Sequence, residues 1–148
     1  MGQDQNAIAD FSQALSLNSK TLDLSDLYWH RGKAYVNRKQ YDAGIKDLTD
    51  AITLNGASGD AYHWRAHAYA HQGNFDHAIA DFDYAIELAP SPELYGDRAL
   101  VYEKNGDCAK AIADYRTILE TTNDDSMRRK ASDSLSALAR NRDCARQQ

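Results

Sequence analysis

The chain has 148 residues, 43% of them apolar and 26% charged, a length and balance that fit one globular domain. Six basic and two acidic side chains give residues 127–148 a charge of +4 against −9 for the rest, and an acidic body excludes a general nucleic-acid binder, whose phosphate contacts need a basic face. No run of 18 apolar residues is present to span a membrane, and the opening MGQDQNAIADF has neither a secretory layout nor, with Asn6, a myristoylation pattern.

Proline is confined to Pro90 and Pro92, which points to an all-α chain because helix interiors tolerate proline least. The predicted elements begin at residues 5–20. There AIADFSQALSLN (7–18) reads as the second helix of a hairpin whose first helix is missing from this chain. Ile8, Phe11 and Leu15 on its apolar face are expected to lack part of their cover, leaving a face suited to homo-oligomer formation. The stretch SKTLDLSD that follows is predicted as a longer loop, because GIKDLTDAITLN (44–55) starts 37 residues after the first copy, whereas the later intervals are 34 and 33.

Three complete units come next, at 25–58, 59–91 and 92–122. Their first halves are YWHRGKAY (28–35), YHWRAHAY (62–69) and YGDRALVY (95–102), and their second halves end with GIKDLTDAITLN, AIADFDYAIELA (78–89) and AIADYRTILETT (111–122). Self-similarity at this period marks a repeat architecture. In the middle unit Tyr62, Ala66 and Tyr69 fall on one helical face, Gly73-Asn74 breaks the chain, and Ala78, Ile79, Phe82, Ala85 and Ile86 form the inward face of a second helix. Small residues at Gly32, Ala66 and Ala99 allow the paired helix to approach. Lys39 stands where the other units have Gly73 and Gly106, so a left-handed turn there would carry strain of roughly 1–2 kcal/mol. Residues 124–143 read as a final amphipathic capping helix with Met127, Ala131, Leu135 and Leu138 inward, acidic residues at its start and arginines at its end.

These residues resemble the tetratricopeptide repeat, whose pattern is W-x2-L-G-x2-Y, then A-x3-F, then P. The middle unit carries Tyr62-x2-Arg65-Ala66-x2-Tyr69, Ala78-x3-Phe82 and Pro90, and its neighbours carry Tyr28-x2-Arg31-Gly32-x2-Tyr35 and Tyr95-x2-Arg98-Ala99-x2-Tyr102. The resemblance implies an α-solenoid, a right-handed superhelix of antiparallel helix pairs, as one domain over 1–148 with the first helix of each pair lining the concave side. Arginine replaces the family's leucine in all three units and is expected to lay its stem along the core with its head in water. The aspartates of the recurring IADF and IADY segments are expected on helix surfaces.

His63, His67 and His71 recur every four residues and so share one face. Repeat-length arithmetic sets them beside Trp29, Lys33 and Asn37 in the preceding unit and Gly96, Leu100 and Lys104 in the next. Trp29, Lys33, Asn37, His63, His67, His71, Leu100 and Lys104 are therefore the candidate wall of a groove that binds a partner protein or peptide, with Trp29 as the aromatic anchor. The expected role is that of a scaffold or adaptor, without a cofactor. The alternative is a metal-binding or metal-responsive module on the His63/His67/His71 ladder, with His67, His71 and Glu103 as ligands, since histidines at i and i+4 can chelate. Family members that grip a chaperone's C-terminal carboxylate need positive charge on this face. Here Glu93, Asp97 and Trp29 stand at the relevant positions, so that ligand is not expected.

Nothing points to catalysis: H-E-x-x-H, a phosphate-binding glycine loop and a nucleophile elbow are all missing from the sequence. Cys108 and Cys144 have no C-x-x-C spacing and support neither structural zinc nor a thioredoxin-type motif. Their pairing stays open: the cytoplasm is the default compartment, and a periplasmic or secreted location is expected if they are bridged.

Overall fold

The computed structural model describes residues 2–17, 23–141 and 144, and among these it contains eight α-helices and no strand. They are α1 (Gly2–Ser16), α2 (Leu24–Asn37), α3 (Tyr41–Leu54), α4 (Gly59–His71), α5 (Phe75–Leu88), α6 (Pro92–Asn105), α7 (Cys108–Thr121) and α8 (Asp125–Arg140). Of the loop predicted between α1 and α2, residues 18–22 lie outside the described residues. Helix starts follow local chemistry. Asp23, Ser58, Ser91, Asp107 and Asp124 each accept a backbone N–H from the first turn of the helix they precede, and Pro92 sits where an unbonded nitrogen costs nothing.

Residues 38–40, 72–74 and 106–107 join α2 to α3, α4 to α5 and α6 to α7, connections short enough to turn the chain back antiparallel. All three close in one way. Gln40 N–H reaches Tyr35 C=O, Asn74 N–H reaches Tyr69 C=O and Asp107 N–H reaches Tyr102 C=O, each at 2.9 Å, the long bond of a Schellman turn. The residue before each donor is left-handed: Gly73 has φ 77°, Gly106 has φ 81°, and Lys39 has φ 61° although it carries a side chain.

Contacts within the span read as one domain cluster into two compact units, residues 1–88 and 89–148. In the first, α1 through α5 pack as successive neighbours around fully buried Leu48 and Phe82, each contributing about 1.5–3 kcal/mol by burial. Alanines 51, 61, 66, 68, 78 and 85 let the helix backbones approach. Of the apolar face of α1, Ile8 is buried, Phe11 and Leu15 are half-buried, and Leu17 just beyond the helix is 70% exposed. Phe11 finds cover from His30, whose ring stacks on it at 5.5 Å and 12°.

The arginines of the repeat do not send their heads into water, and the aspartates of the second helices are not surface residues. Arg31 grips Asp47 with Nε at 2.6 Å and Nη2 at 2.9 Å, and Arg65 grips Asp81 with both nitrogens at 2.8 Å. In the second unit Arg98 grips Asp114 at 2.9 and 2.7 Å. The arginine side chains are 16–17% exposed and the aspartates 4–7%. Each guanidinium also lies 5.5–6.0 Å from two tyrosine rings of its own helix: Tyr28 and Tyr35, Tyr62 and Tyr69, Tyr95 and Tyr102. A bidentate fork with a cation–π contact on either side explains why the position tolerates a charge where the family has leucine. The Asp47 hydrogen bond pushes the Arg31 pKa further up. At Arg65 burial works against the charge, and the Asp81 bond and charge override it to push that pKa up as well.

In the second unit, Leu94, Ala99, Val101, Ile112, Tyr115 and Ile118 bury the α6–α7 seam, and α8 closes over α7 with Ala131 and Leu138 buried and Met127 and Leu135 half-buried. The Tyr115 hydroxyl donates to Glu103 Oε1 at 2.5 Å, and burial reinforced by that bond drives its pKa well above the usual phenol range. Cys108 and Cys144 form a disulfide with Cα atoms 5.3 Å apart, tying the chain beyond α8 to the start of α7.

Candidate functional site

Helices α2 and α4 both belong to the first unit and pack on one another as well as on α3. Residues 29, 33 and 37 on α2 and 63, 67 and 71 on α4 repeat every four positions, so each trio forms a stripe along one helix face. Trp29 is half-buried and shared between this face and the core, where its ring packs against the cluster around Leu48 and Ala51. Its indole N–H is buried without a hydrogen-bond partner, an unusual state for a tryptophan in a packed setting. Lys33 holds its ammonium 5.8 Å from the Trp29 ring and 4.8 Å from the Trp64 ring, so one cation bridges aromatics of both helices.

On α4 the histidines divide. His63 and His67 face each other with Nε2 atoms 3.0 Å apart, and His67 packs T-shaped against Phe82 at 5.5 Å. His71 is exposed and stacks on Tyr41 of α3 at 5.1 Å and 9°. Between the α2–α3 turn and α4 lies an open hollow of about 300 Å³. It is lined by Val36 and Asn37 of α2, Lys39 of the turn, Tyr41 of α3, and Trp64, His67 and His71 of α4. Asn37 is exposed and makes a long 3.5 Å hydrogen bond to Asp4.

The structure thus brings Trp29 to Lys33 and His63 to His67, and of the predicted wall residues it sets Asn37, His67 and His71 around the hollow. Leu100, 51% exposed, and Lys104, also exposed, lie on α6 of the second unit, as does Gly96, where a Cβ would make only ordinary contact with Ile118. Glu103 also belongs to that unit and accepts the Tyr115 hydroxyl. Trp64, Tyr41, Lys39 and Val36 were not named as wall residues from the sequence, where Lys39 stood out only as a turn residue. Trp64 directly follows His63 and stands one repeat after His30, a signal available beside the histidine row. Tyr41 opens a second helix, and a reading that assigns the wall to first helices alone passes over it.

Against this geometry, residues 59–92 match a tetratricopeptide repeat profile, and residues 25–58 and 92–125 match a second profile of the same repeat. The chain belongs to the tetratricopeptide repeat family. It is 34% identical over 87 residues to the "DnaJ homolog subfamily C member 7 homolog" of Dictyostelium discoideum, a match that covers 58% of this chain and 16% of that protein. The chain spans between 14% and 23% of the length of the curated relatives it matches. Among solved structures, MamA superposes with a TM-score of 0.73 at 27% identity, covering 80% of this chain and 64% of that one. The first tetratricopeptide domain of Spaghetti (RPAP3), solved bound to the HSP90 peptide SRMEEVD, shares the fold with a TM-score of 0.67 at 22% identity, covering 80% and 99%. As an array of tetratricopeptide repeats the chain is a protein–protein interaction module, in a family whose members are generally non-catalytic. No helix among its described residues is long and apolar enough to cross a membrane.

Proposed function

We propose that the α2–α4 face of the first unit binds an extended segment of a partner protein, and that the chain serves as an adaptor within a larger assembly. The observation that carries this reading is the Lys33 ammonium held over two indoles beside a hollow of about 300 Å³. That volume sits at the lower end of ligand pockets and suits one or two side chains of a peptide. Trp64, Tyr41 and His71 offer flat aromatic walls to an apolar anchor, and Lys33 and Lys39 offer positive charge to an acidic neighbour on the same peptide. Trp29 contributes one of the two rings that hold Lys33. On the second unit, exposed Leu100 and Lys104 repeat the pairing of an apolar with a cationic group and are proposed as contacts in their own right.

A domain of this fold holding the peptide SRMEEVD supports peptide binding as a use of the architecture. Aromatic Trp29, standing where such a carboxylate clamp would need positive charge, argues against that particular peptide here. The Cys108–Cys144 bridge supports a working life in an oxidising compartment, periplasmic or secreted.

The test is capture of partners by the parent chain and by a Trp29→Ala/Lys33→Ala variant whose helicity matches the parent. The variant is expected to lose partners the parent retains, and Lys33→Glu alone, which leaves the half-buried indole in place, to weaken them about tenfold. Survival of every partner in both variants removes this face as the contact surface.

A further inference from the structure

The geometry points to a metal site on α4: we propose that His63 and His67 together chelate a divalent first-row transition ion, Cu(II) or Ni(II) in preference to Zn(II). The inference does not rest on the peptide-binding reading: it shares His67 with the hollow, but neither Trp29 nor Lys33 takes part in it.

The two Nε2 atoms face one another at 3.0 Å, on a helix whose backbone fixes their spacing. An ion about 2.0–2.1 Å from each nitrogen would then be subtended at about 91–97°. A tetrahedral site would hold the nitrogens about 3.3 Å apart, whereas adjacent corners of a square-planar or octahedral site hold them at about 2.9 Å. The observed separation lies nearer the second value, and square-planar or tetragonal nitrogen sets suit Cu(II) and Ni(II).

The rings are also held in place. His67 packs T-shaped against buried Phe82 at 5.5 Å, and the His63 and His67 rings lie 4.7 Å apart at 45°. His71, one turn on, turns to Tyr41 instead. Without metal, one Nε2–H donates to the other ring's Nε2 lone pair. Chelation needs both lone pairs, so the donor ring carries its proton on Nδ1 instead, a change of tautomer in which the neutral pair neither gains nor loses a proton.

The experiment is calorimetric titration of the full, tag-free chain with Cu(II), Ni(II) and Zn(II) chlorides. The parent is expected to bind one ion, with Cu(II) tightest. His63→Ala and His67→Ala are each expected to weaken binding at least about tenfold, and His71→Ala to change it less than about twofold. A readout on the unaltered chain keeps the result independent of variant folding. Sub-stoichiometric Cu(II) should broaden the imidazole proton resonances of His63 and His67 before those of His30, His71 and His77. Absence of binding in the parent, equal loss on His71→Ala, or first broadening at any other histidine overturns the site. The Trp29→Ala/Lys33→Ala variant keeps both ligands, so failure of the peptide reading and failure of the metal site are separately visible.

Discussion

The hairpins α2/α3 and α4/α5 share one ion-pair design and one turn, yet solve their close contact differently. In α2/α3 two glycines meet. A Cβ on Gly32 would stand 2.7 Å from Leu48 Cγ, and one on Gly44 would stand 2.7 Å from Val36 Cγ2. In α4/α5 the matching positions hold Ala66 and Ala78, both fully buried, and Val36 is answered by Ala70, one repeat later. The room that Gly44 leaves is therefore filled by Val36, and at the equivalent pair of positions in α4/α5 both residues are alanine. Steric matching can trade methyl groups between facing helices. A buried charge has no such freedom, because half of an ion pair cannot be moved without stranding the other half.

The largest predicted effect follows from that asymmetry. Asp81→Ala leaves the Arg65 guanidinium, 16% exposed, without its fork partner and should cost about 3 kcal/mol in urea unfolding. Asp47→Ala should behave alike. Asp10 stands at the corresponding place in α1 and is exposed; its alanine variant should stay within about 0.5 kcal/mol of the parent. Equal costs at Asp81 and Asp10 would mean that the repeated fork adds nothing beyond a surface pair.

The steric half of the comparison can be broken and then repaired. Gly44→Ala gains about 1 kcal/mol in helix propensity but forces a methyl against Val36 and within 3.1 Å of the Gly32 carbonyl, overpacking that costs about 1–3 kcal/mol. The net expectation is destabilisation of about 1 kcal/mol. Adding Val36→Ala recreates the Ala78/Ala70 arrangement, so the double variant should be more stable than the sum of the single effects by about 1 kcal/mol. Additivity would show that the two positions do not share one space.

Some of this was legible beforehand. Period and apolar faces are enough for the hairpins, because a helix buries whatever stripe its sequence presents, and the small residues at 32, 66 and 99 mark the close approach. The Arg–Asp fork left a trace as well: Arg31 and Asp47, Arg65 and Asp81, and Arg98 and Asp114 are each 16 residues apart. Taken one helix at a time, each looks like a surface residue; only the constant interval between helices betrays a pair. The hollow beside α4 was half legible. His67 and His71 follow from four-residue spacing, whereas Tyr41 and Lys39 enter through the turn and the start of the paired helix, which helical periodicity does not describe. The disulfide was beyond reach, because a 36-residue separation says nothing about where the chain after α8 returns to α7.

The smallest predicted effect concerns the turn where the two hairpins differ most in chemistry and least in shape. Lys39 holds φ 61° in the same hydrogen-bonded turn that Gly73 forms at φ 77°. A side chain in that region costs about 1–2 kcal/mol. Glycine removes the cost but loses about 0.5–1 kcal/mol in unfolded-state entropy, so Lys39→Gly should stabilise the chain by about 0.5–1 kcal/mol. A melting-temperature increase without loss of helicity would confirm it, and a decrease would show that the lysine makes a stabilising contact worth more than its strain. Lys39 also lines the hollow beside His67 and a second one of about 460 Å³ beside Gln72. Strain kept at a position bordering both hollows is the arrangement expected where a side chain serves binding over stability. The same Lys39→Gly variant should therefore hold the partner less tightly while folding more firmly. If it folds more firmly and binds unchanged, the lysine's strain has no functional return and the wall ends at Asn37.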